Sequence, residues 1–199
     1  TMIAYEFPLA IIIVTLAWRL GQQGITTNVF SLTAIAATPI WGIVGPLGFI
    51  GAILLLLALI IVTPAELSKV PFDAPEAETE IGGGLLVEYS GRNLGMFYLT
   101  DAVKTVVMSS IIVVLFFPYN LTDFVFKSQA GQPLGLGLDL IFFLVKLLII
   151  IVFSVTLIRV AVARLKIDQI VYTYWVPLTL LALVGLICIM WDWQIISEQ

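Results

Sequence analysis

The run LGFIGAILLLLALIIVT, Leu47 to Thr63, is the strongest indication of the fold of this chain. It carries no charged side chain, and its length falls within the range of about 17–25 apolar residues with which a helix crosses the hydrocarbon core of a bilayer. It lacks the strict alternation of apolar and polar residues that marks a strand of a membrane barrel. The run therefore predicts a membrane-spanning helix, which Pro64 is expected to end.

The rest of the chain resembles this run in composition. Of its 199 residues, 61% are hydrophobic and 11% are charged, whereas soluble domains are about 45–50% apolar and about 25% charged. An all-α, polytopic transmembrane helix bundle is expected, forming a single membrane domain over residues 1–199. Five spans are predicted, at Ile3–Leu20, Leu47–Thr63, Leu94–Phe117, Leu138–Val160 and Val171–Met190. The stretch Val29–Pro46 is apolar but interrupted by proline and glycine, so it predicts one short interfacial or broken helix.

The residue types that are scarce exclude several functions. The chain has no histidine and a single cysteine, Cys188, whereas haem, iron–sulfur and zinc sites need several such ligands. No metal or cofactor is therefore expected in this chain. A net charge of −4 without a basic cluster argues against nucleic acid as a partner. Because the chain starts at Thr1 and enters an apolar run at once, we expect it to be a piece of a longer protein.

The short loops indicate how the chain lies in the membrane. Cytoplasmic loops of membrane proteins carry an excess of Lys and Arg. The 64–95 loop and the 159–168 link share one side and contain five such residues, against two on the other side. We therefore expect a multi-pass protein of the plasma membrane, with the acidic loop 64–95 in the cytoplasm and the tail from Asp192 to Gln199 outside.

The loop between the second and third spans is acidic for so apolar a chain. One interpretation is a solvated loop whose charges keep it soluble. Against it, apolar residues and prolines surround the acids, so the loop should fold back on the helix ends. Glu76 and Glu80 are four residues apart, which on a short helix places two repelling carboxylates on one face unless they share a proton or a cation. Gly82, Gly83 and Gly84 allow the backbone to approach another surface closely.

These features predict a docking and coupling site in the loop. Its acids are Glu66, Asp73, Glu76, Glu78, Glu80 and Glu88, and its cations are Lys69 and Arg92.

Four ionisable residues fall within the predicted spans: Glu6, Asp101, Lys104 and Lys146. A charge at the centre of a helix costs about 2.5–3.5 kcal/mol on the insertion scale and less near the ends, so each requires a reason. Asp101 and Lys104 are three residues apart and either neutralise each other or take part in a relay. Lys146 has no partner one turn away on its own helix, so it must reach an acid elsewhere, face water or lose its proton. With the loop acids, these residues predict a proton or ion conduit that enters the bundle.

Two motifs carry a resemblance to a known family: Phe-Asp-Ala-Pro-Glu-Ala-Glu-Thr-Glu at 72–80 and Glu-Tyr-Ser-Gly-Arg at 88–92. With further matches at 4–9, 46–49 and 164–169, the chain resembles the subunit 1 (H-type) family of respiratory complex I. That family includes the membrane anchors of energy-converting group 4 [NiFe] hydrogenases. The resemblance implies an eight-span subunit, of which this chain is the C-terminal part, docked beneath a peripheral arm that holds the redox centres. It also implies that the conduit is lined by Glu6, Glu76, Glu78, Glu80 and Glu88.

The branch of the family depends on a few positions. Quinone-reducing members read close to Glu-Thr-Asn-Arg before the first motif, have Gly-x-His-x-Glu at the start of the second, and carry a glutamate in the following helix. The equivalents here are Glu66 to Lys69, Gly84 to Glu88, and Asp101. The pattern at 88–95, with Asp101 and Lys104, is more similar to the ferredoxin-linked hydrogenases and their sulfur-reducing relatives.

The resemblance therefore implies a membrane anchor and coupling subunit of a ferredoxin-linked, H₂-evolving hydrogenase complex that moves H⁺ or Na⁺. The [NiFe] centre and iron–sulfur clusters would lie in partners, namely hydrogenase-like large and small subunits and an iron–sulfur subunit. Antiporter-like membrane subunits would lie beside it. The alternative is subunit 1 of a quinone-reducing complex I or of a membrane-bound sulfur reductase. A stand-alone transporter would be expected to show inverted repeats, which we do not find in this sequence.

Overall fold

The computed structural model describes residues 2–23, 30–73, 86–124 and 133–198. Every regular element in these ranges is helical, which confirms the predicted all-α class. The helices are α1 (Met2–Gly21), α2 (Leu32–Ala37), α3 (Pro46–Glu66), α4 (Gly91–Phe116), α5 (Leu121–Phe124), α6 (Pro133–Ile151), α7 (Leu157–Ala161), α8 (Ile167–Thr173) and α9 (Thr179–Ser197). A π-helical turn at Val152–Thr156 joins α6 to α7, and another at Tyr174–Leu178 joins α8 to α9.

Five helical stretches of the described residues are long and apolar enough to cross a membrane, as predicted. They are Ile3–Gly21, Pro46–Glu66, Gly91–Phe116, Leu134–Ala161 and Ile167–Ser197. Most predicted ends differ from the observed ones by a few residues, and two of these differences involve a proline or a charged residue within a helix. Pro64 does not end the second span, because α3 continues to Glu66. The predicted tail from Asp192 is part of α9, which continues to Ser197 because Asp192 is buried against the start of α3.

The stretch before α3 is a short, interrupted helix, as its prolines and glycines predicted. It consists of α2 and a 3₁₀ turn at Ile40–Gly42. Ile35 and Ile40 are buried, and the indole nitrogen of Trp41 donates a hydrogen bond to the carbonyl oxygen of Phe116, at 2.5 Å. The stretch therefore packs against the end of α4.

The centre of the bundle consists of α1, α3 and α9. Gly51 of α3 and Gly185 of α9 face each other so closely that a Cβ atom on Gly51 would lie 2.8 Å from the carbonyl oxygen of Gly185. Small residues allow membrane helices to approach in this way. Leu55 of α3 and Ile189 of α9 are fully buried beside them. The fourth span packs against α4 and α3 but leaves most of its surface exposed.

The helices bring charged residues to both ends of the bundle. At one end, the turn formed by residues 67–73 follows α3, meets α4 at Asp101 and meets the link before α8 at Arg164; we call this the loop end. The rings of Tyr5 and Tyr174 meet there, with centroids 6.2 Å apart. At the other, or far, end, Arg19 of α1 donates a hydrogen bond to the carbonyl oxygen of Ile43. The predicted coupling residues that fall within the described ranges can therefore be assigned to one end or the other.

Candidate functional site

Two crossed ion pairs join the end of α3 to α4 at the loop end. The Nζ atom of Lys104 lies 2.9 Å from Oε1 of Glu66, and the Nζ atom of Lys69 lies 2.5 Å from Oδ2 of Asp101. Lys69 and Asp101 are each 33% exposed at the side chain, and Glu66 is 18% exposed. Of the two alternatives for Asp101 and Lys104, mutual neutralisation is wrong, because each pairs with a residue of α3 or of the turn after it. The relay role stays a prediction.

A third ion pair ties the 67–73 turn to the link between α7 and α8. The Nε atom of Arg164 donates to Oδ1 of Asp73 at 2.9 Å, and its Nη2 atom donates to Oδ2. Such two-pronged contacts between Arg and a carboxylate are stronger and more directional than single ones. Asp73 is buried, and the adjacent backbone N–H of Leu165 donates to the carbonyl oxygen of Pro71. The turn is therefore held to this link by both side chain and backbone.

Aromatic residues fill the space beneath these ion pairs. The ring of Phe72 lies 5.1 Å from that of Tyr174, which also meets Tyr5 edge to face. Tyr174 is fully buried, and its hydroxyl group donates a hydrogen bond to the carbonyl oxygen of Ile61 in α3, at 3.2 Å. Tyr174 therefore touches the 67–73 turn, α1 and α3 at once.

The remaining predicted residues of the loop end are peripheral or fall outside the described ranges. Glu6 is exposed on the first turns of α1, although its neighbour Tyr5 points into the bundle. Glu88 and Arg92 are exposed just before and within the first turn of α4. Three predicted acids lie outside the described residues, so their shared face stays a prediction: Glu76, Glu78 and Glu80.

Lys146 lies far from this cluster and has a different role. Its Nζ atom donates to the carbonyl oxygens of Phe117 and Tyr119, at 2.9 and 2.7 Å, and lies 4.8 Å from the ring centroid of Phe142. A cation at this position satisfies carbonyl groups left open where α4 ends. These backbone oxygens and the ring are partners that the sequence did not indicate, and the expected acid, water or proton loss stays a prediction.

The far end contains two buried charged residues that the sequence did not single out. Arg19 is completely buried and lies 4.9 Å from the ring centroid of Trp193. Asp192 is 2% exposed and accepts a hydrogen bond from the backbone N–H of Gly45, at 2.8 Å. A carboxylate at the first turn of α3 favours that helix end electrostatically. Asp192 therefore caps α3 from another helix.

Sequence reasoning missed Arg164, Tyr174 and Asp192 for one reason. Each finds its partner at least 91 residues away along the chain, whereas the partners considered were neighbours in sequence. The sequence did contain a signal for Arg164, because it is the first residue of the stretch 164–169 that matches the family. In the part of the chain that the structure describes, no three His, Cys, Asp or Glu side chains could hold a metal ion together. The expected absence of a metal centre stays a prediction.

Comparison with known proteins gives consistent matches over almost the whole chain. Residues 1–190 match the family model described as NADH dehydrogenase. The H subunit of NADH-quinone oxidoreductase from Brevibacillus brevis is 33% identical over 190 residues, which cover 94% of this chain and 50% of the relative. The H subunit of F(420)H(2) dehydrogenase from Methanosarcina acetivorans is 32% identical over 189 residues, which cover 92% of this chain and 49% of the relative. The chain spans about half the length of the curated relatives it matches.

Proposed function

Because this chain belongs to the NADH dehydrogenase family of H-type subunits, also called subunit 1, we propose that it is the anchor and coupling subunit of an ion-translocating oxidoreductase complex. Family and structure together make it a polytopic membrane subunit of the complex I-like kind. In the proposal it holds no redox centre, anchors the arm that does, and links electron transfer there to movement of H⁺ or Na⁺.

The observation that carries this proposal is the set of three ion pairs at the loop end. They connect the 67–73 turn and the end of α3 to α4 and to the α7–α8 link. A partly buried ion pair weakens when either partner changes its charge or its position. Protonation of one acid, or arrival of a charge at the loop, would therefore loosen the contact with one particular span. A coupling element needs this property.

The proposed conduit runs from the acidic loop into the bundle. Its entrance uses the exposed Glu6 and Glu88, which partner subunits can reach. Arg92, exposed near Glu88, would hold an anionic group of the arm. Lys146 is not part of this proposal, since its amine is engaged at the end of α4. Other members proposed are Glu66, Asp73, Glu76, Glu78, Glu80, Asp101 and Lys104.

Among the branches of the family, we propose the ferredoxin-linked, H₂-evolving hydrogenase. Lys69 stands where the quinone-reducing pattern has arginine, and Asp101 stands where it has glutamate. The two residues form one ion pair, so both sides of a single contact differ from that pattern together. The [NiFe] and iron–sulfur centres would then lie in hydrogenase-like partner subunits, with antiporter-like subunits beside this chain in the membrane.

A second candidate, a quinone-reducing complex, is favoured by the relatives. One of them, at 33% identity, is named as part of an NADH-quinone oxidoreductase. The two candidates separate on the nickel content of the intact complex, purified through this subunit in mild detergent. Stoichiometric nickel would support the hydrogenase. An intact complex without nickel that is blocked by quinone-site inhibitors would refute it.

The coupling function is tested with Glu66→Gln in the complex reconstituted into proteoliposomes. We expect fewer ions moved per electron, while electron transfer itself is largely retained, because the variant loses the charge that meets Lys104. The control is Glu198→Gln, since Glu198 is exposed at the far end of α9. A normal ratio of ions to electrons in Glu66→Gln would remove Glu66 from the coupling path.

We further propose that the complex lies in the plasma membrane with the loop end in the cytoplasm. A cysteine at the exposed position Asp168, in a Cys188→Ser background, tests this orientation. An impermeant thiol reagent should label it in inverted vesicles and not in intact cells. Labelling in intact cells would reverse the assignment.

A further inference from the structure

The end of α3 that carries Glu66 contains a break in its own hydrogen bonding. Pro64 lies inside the helix and has no N–H. The carbonyl group of Ile60, four residues earlier, therefore has no donor within α3. A membrane offers no water to replace that donor, so a neighbouring helix must supply one.

Hydroxyl groups from two other spans bond to the carbonyls at this break. The Oγ atom of Ser154 donates to the carbonyl oxygen of Ile60 at 3.0 Å, and the hydroxyl of Tyr174 donates to that of Ile61 at 3.2 Å. Both side chains are fully buried. The two donors lie on the fourth and fifth spans, so three spans meet at consecutive carbonyl groups of one helix.

Both donors lie in π-helical turns. Ser154 is at the centre of the turn Val152–Thr156, and Tyr174 begins the turn Tyr174–Leu178. In the second turn, Pro177 lacks an N–H, and the backbone N–H of Thr179 bonds instead to the carbonyl oxygen of Tyr174, five residues back. Such turns hold one extra residue, and they occur frequently at functional sites. We call the contact of Ser154 and Tyr174 with the carbonyls of Ile60 and Ile61 the proline joint.

The proline joint lies directly beneath the ion pairs. Glu66 follows Pro64 by two residues and pairs with Lys104. The ring of Tyr174 packs against Phe72, whose neighbour Asp73 pairs with Arg164. A shift of the 67–73 turn would therefore press on the same tyrosine that holds α3.

We infer that Ser154 and Tyr174 are positioning residues for coupling: their hydroxyl groups hold the kinked end of α3 so that Glu66 meets Lys104, and they link the loop to the fourth and fifth spans. This inference rests on the proposed coupling function of Glu66. A purely structural role predicts a different result, in which loss of a hydroxyl group destabilises the bundle but leaves the ratio of ions to electrons unchanged in complexes that assemble.

The experiment compares single-hydroxyl variants of the intact complex in proteoliposomes. Ser154→Ala and Tyr174→Phe each remove one hydroxyl group, and Ser154→Thr keeps it. The matched control is Ser109→Ala, because Ser109 is also fully buried in a span but bonds to the carbonyl of Thr105 in its own helix. Two quantities are measured for each, the rate of electron transfer and the number of ions moved per electron.

We expect Ser154→Ala and Tyr174→Phe to lower the ion-to-electron ratio about twofold or more. The first removes the donor that replaces the missing N–H of Pro64, and the second removes the bond that ties the carbonyl of Ile61 to the fifth span, so the helix end can move. Electron transfer should persist in both variants. Ser154→Thr, which keeps the hydroxyl group, and the control Ser109→Ala should both show the ratio of the unmodified complex. If Ser154→Ala does not assemble, Tyr174→Phe decides, since it keeps the ring.

An unchanged ratio in Tyr174→Phe and in any assembled Ser154→Ala, beside a lowered ratio in Glu66→Gln, would overturn the inference and leave the proposed function standing. An unchanged ratio in Glu66→Gln as well would overturn both. A drop in Ser109→Ala equal to that in Ser154→Ala would also overturn the inference, because any buried hydroxyl group would then have the same effect.

Discussion

Neutralising Lys104 should remove a contact with Glu66 and leave Asp101 almost unaffected. The structure pairs Lys104 with Glu66, although Asp101 is only three residues from Lys104 on the same helix. The two possibilities predict different coupling energies in double-mutant cycles. The variants are Lys104→Gln, Glu66→Gln and Asp101→Asn, alone and in the two pairs that include Lys104.

The expected magnitude follows from distance and exposure. At the 2.9 Å that separates Lys104 from Glu66, the Coulomb energy is about 1.4 kcal/mol in bulk water and about 6 kcal/mol at an effective dielectric constant of 20. The cost of desolvation and of ordering two side chains offsets most of this, and exposed pairs contribute about 0.2–1 kcal/mol. Lys104 is 41% and Glu66 18% exposed at the side chain, so we expect a coupling energy near the top of that range, about 1 kcal/mol. For Asp101 with Lys104 we expect less than about 0.5 kcal/mol.

The free energy of unfolding is measured by chemical denaturation of the purified protein in detergent micelles, with tryptophan fluorescence as the signal. Added salt should reduce the Glu66–Lys104 coupling energy, since Lys104 is partly exposed. A larger coupling energy between Asp101 and Lys104 than between Glu66 and Lys104 would refute the crossed arrangement. The pairs would then lie within α4, and the tie between α3 and α4 would disappear.

Three further predictions concern the bundle. Gly51→Ala should lower the free energy of unfolding by about 1–3 kcal/mol, because the new Cβ meets a backbone carbonyl at 2.8 Å. The control Gly95→Ala, in open space, should stabilise α4 by up to about 1 kcal/mol. If both variants changed the free energy of unfolding equally, the close packing at Gly51 would be contradicted. Asp192→Ala should cost about 1–3 kcal/mol, because the backbone N–H of Gly45 loses its buried acceptor. Adding Arg19→Met tests whether the two buried charges interact, and purely additive unfolding energies would show that they do not. Lys146→Met should lower the melting temperature of the complex and leave the ion-to-electron ratio unchanged; a fall in that ratio would return Lys146 to the conduit.

The spans could be predicted because a membrane imposes a simple length and hydrophobicity requirement on each helix. The ends of the spans could not be predicted where a contact with another helix replaces a hydrogen bond missing within the helix. Pro64 reads as a helix end, yet α3 continues past it because Ser154 supplies the donor that Ile60 lost. Asp192 reads as the start of a polar tail, yet Gly45 binds its carboxylate within the bundle.

The sequence predicted where the charged residues of the candidate site gather, but it did not predict which acid pairs with which base. The density of acids indicated the loop end, and Glu66, Asp73, Asp101 and Lys104 do gather there. Local spacing cannot reveal which acid meets which base when the partners lie on different helices. Asp73 and Arg164 are 91 residues apart, and only the packing of the 67–73 turn against the α7–α8 link brings them together.

The partial exposure of the three pairs bears on why this end of the bundle uses charges at all. A fully buried pair costs several kcal/mol to break, which would lock the loop in one position. A fully exposed pair contributes almost nothing, so its loss would move nothing. The side chains of these pairs are 13–41% exposed, which places each contact between those limits. Two arrangements that differ by a few kcal/mol can both be populated, and a change of one charge can then shift the balance between them. In the proposed coupling role, contacts of this intermediate strength would hold the 67–73 turn and release it when one charge changes.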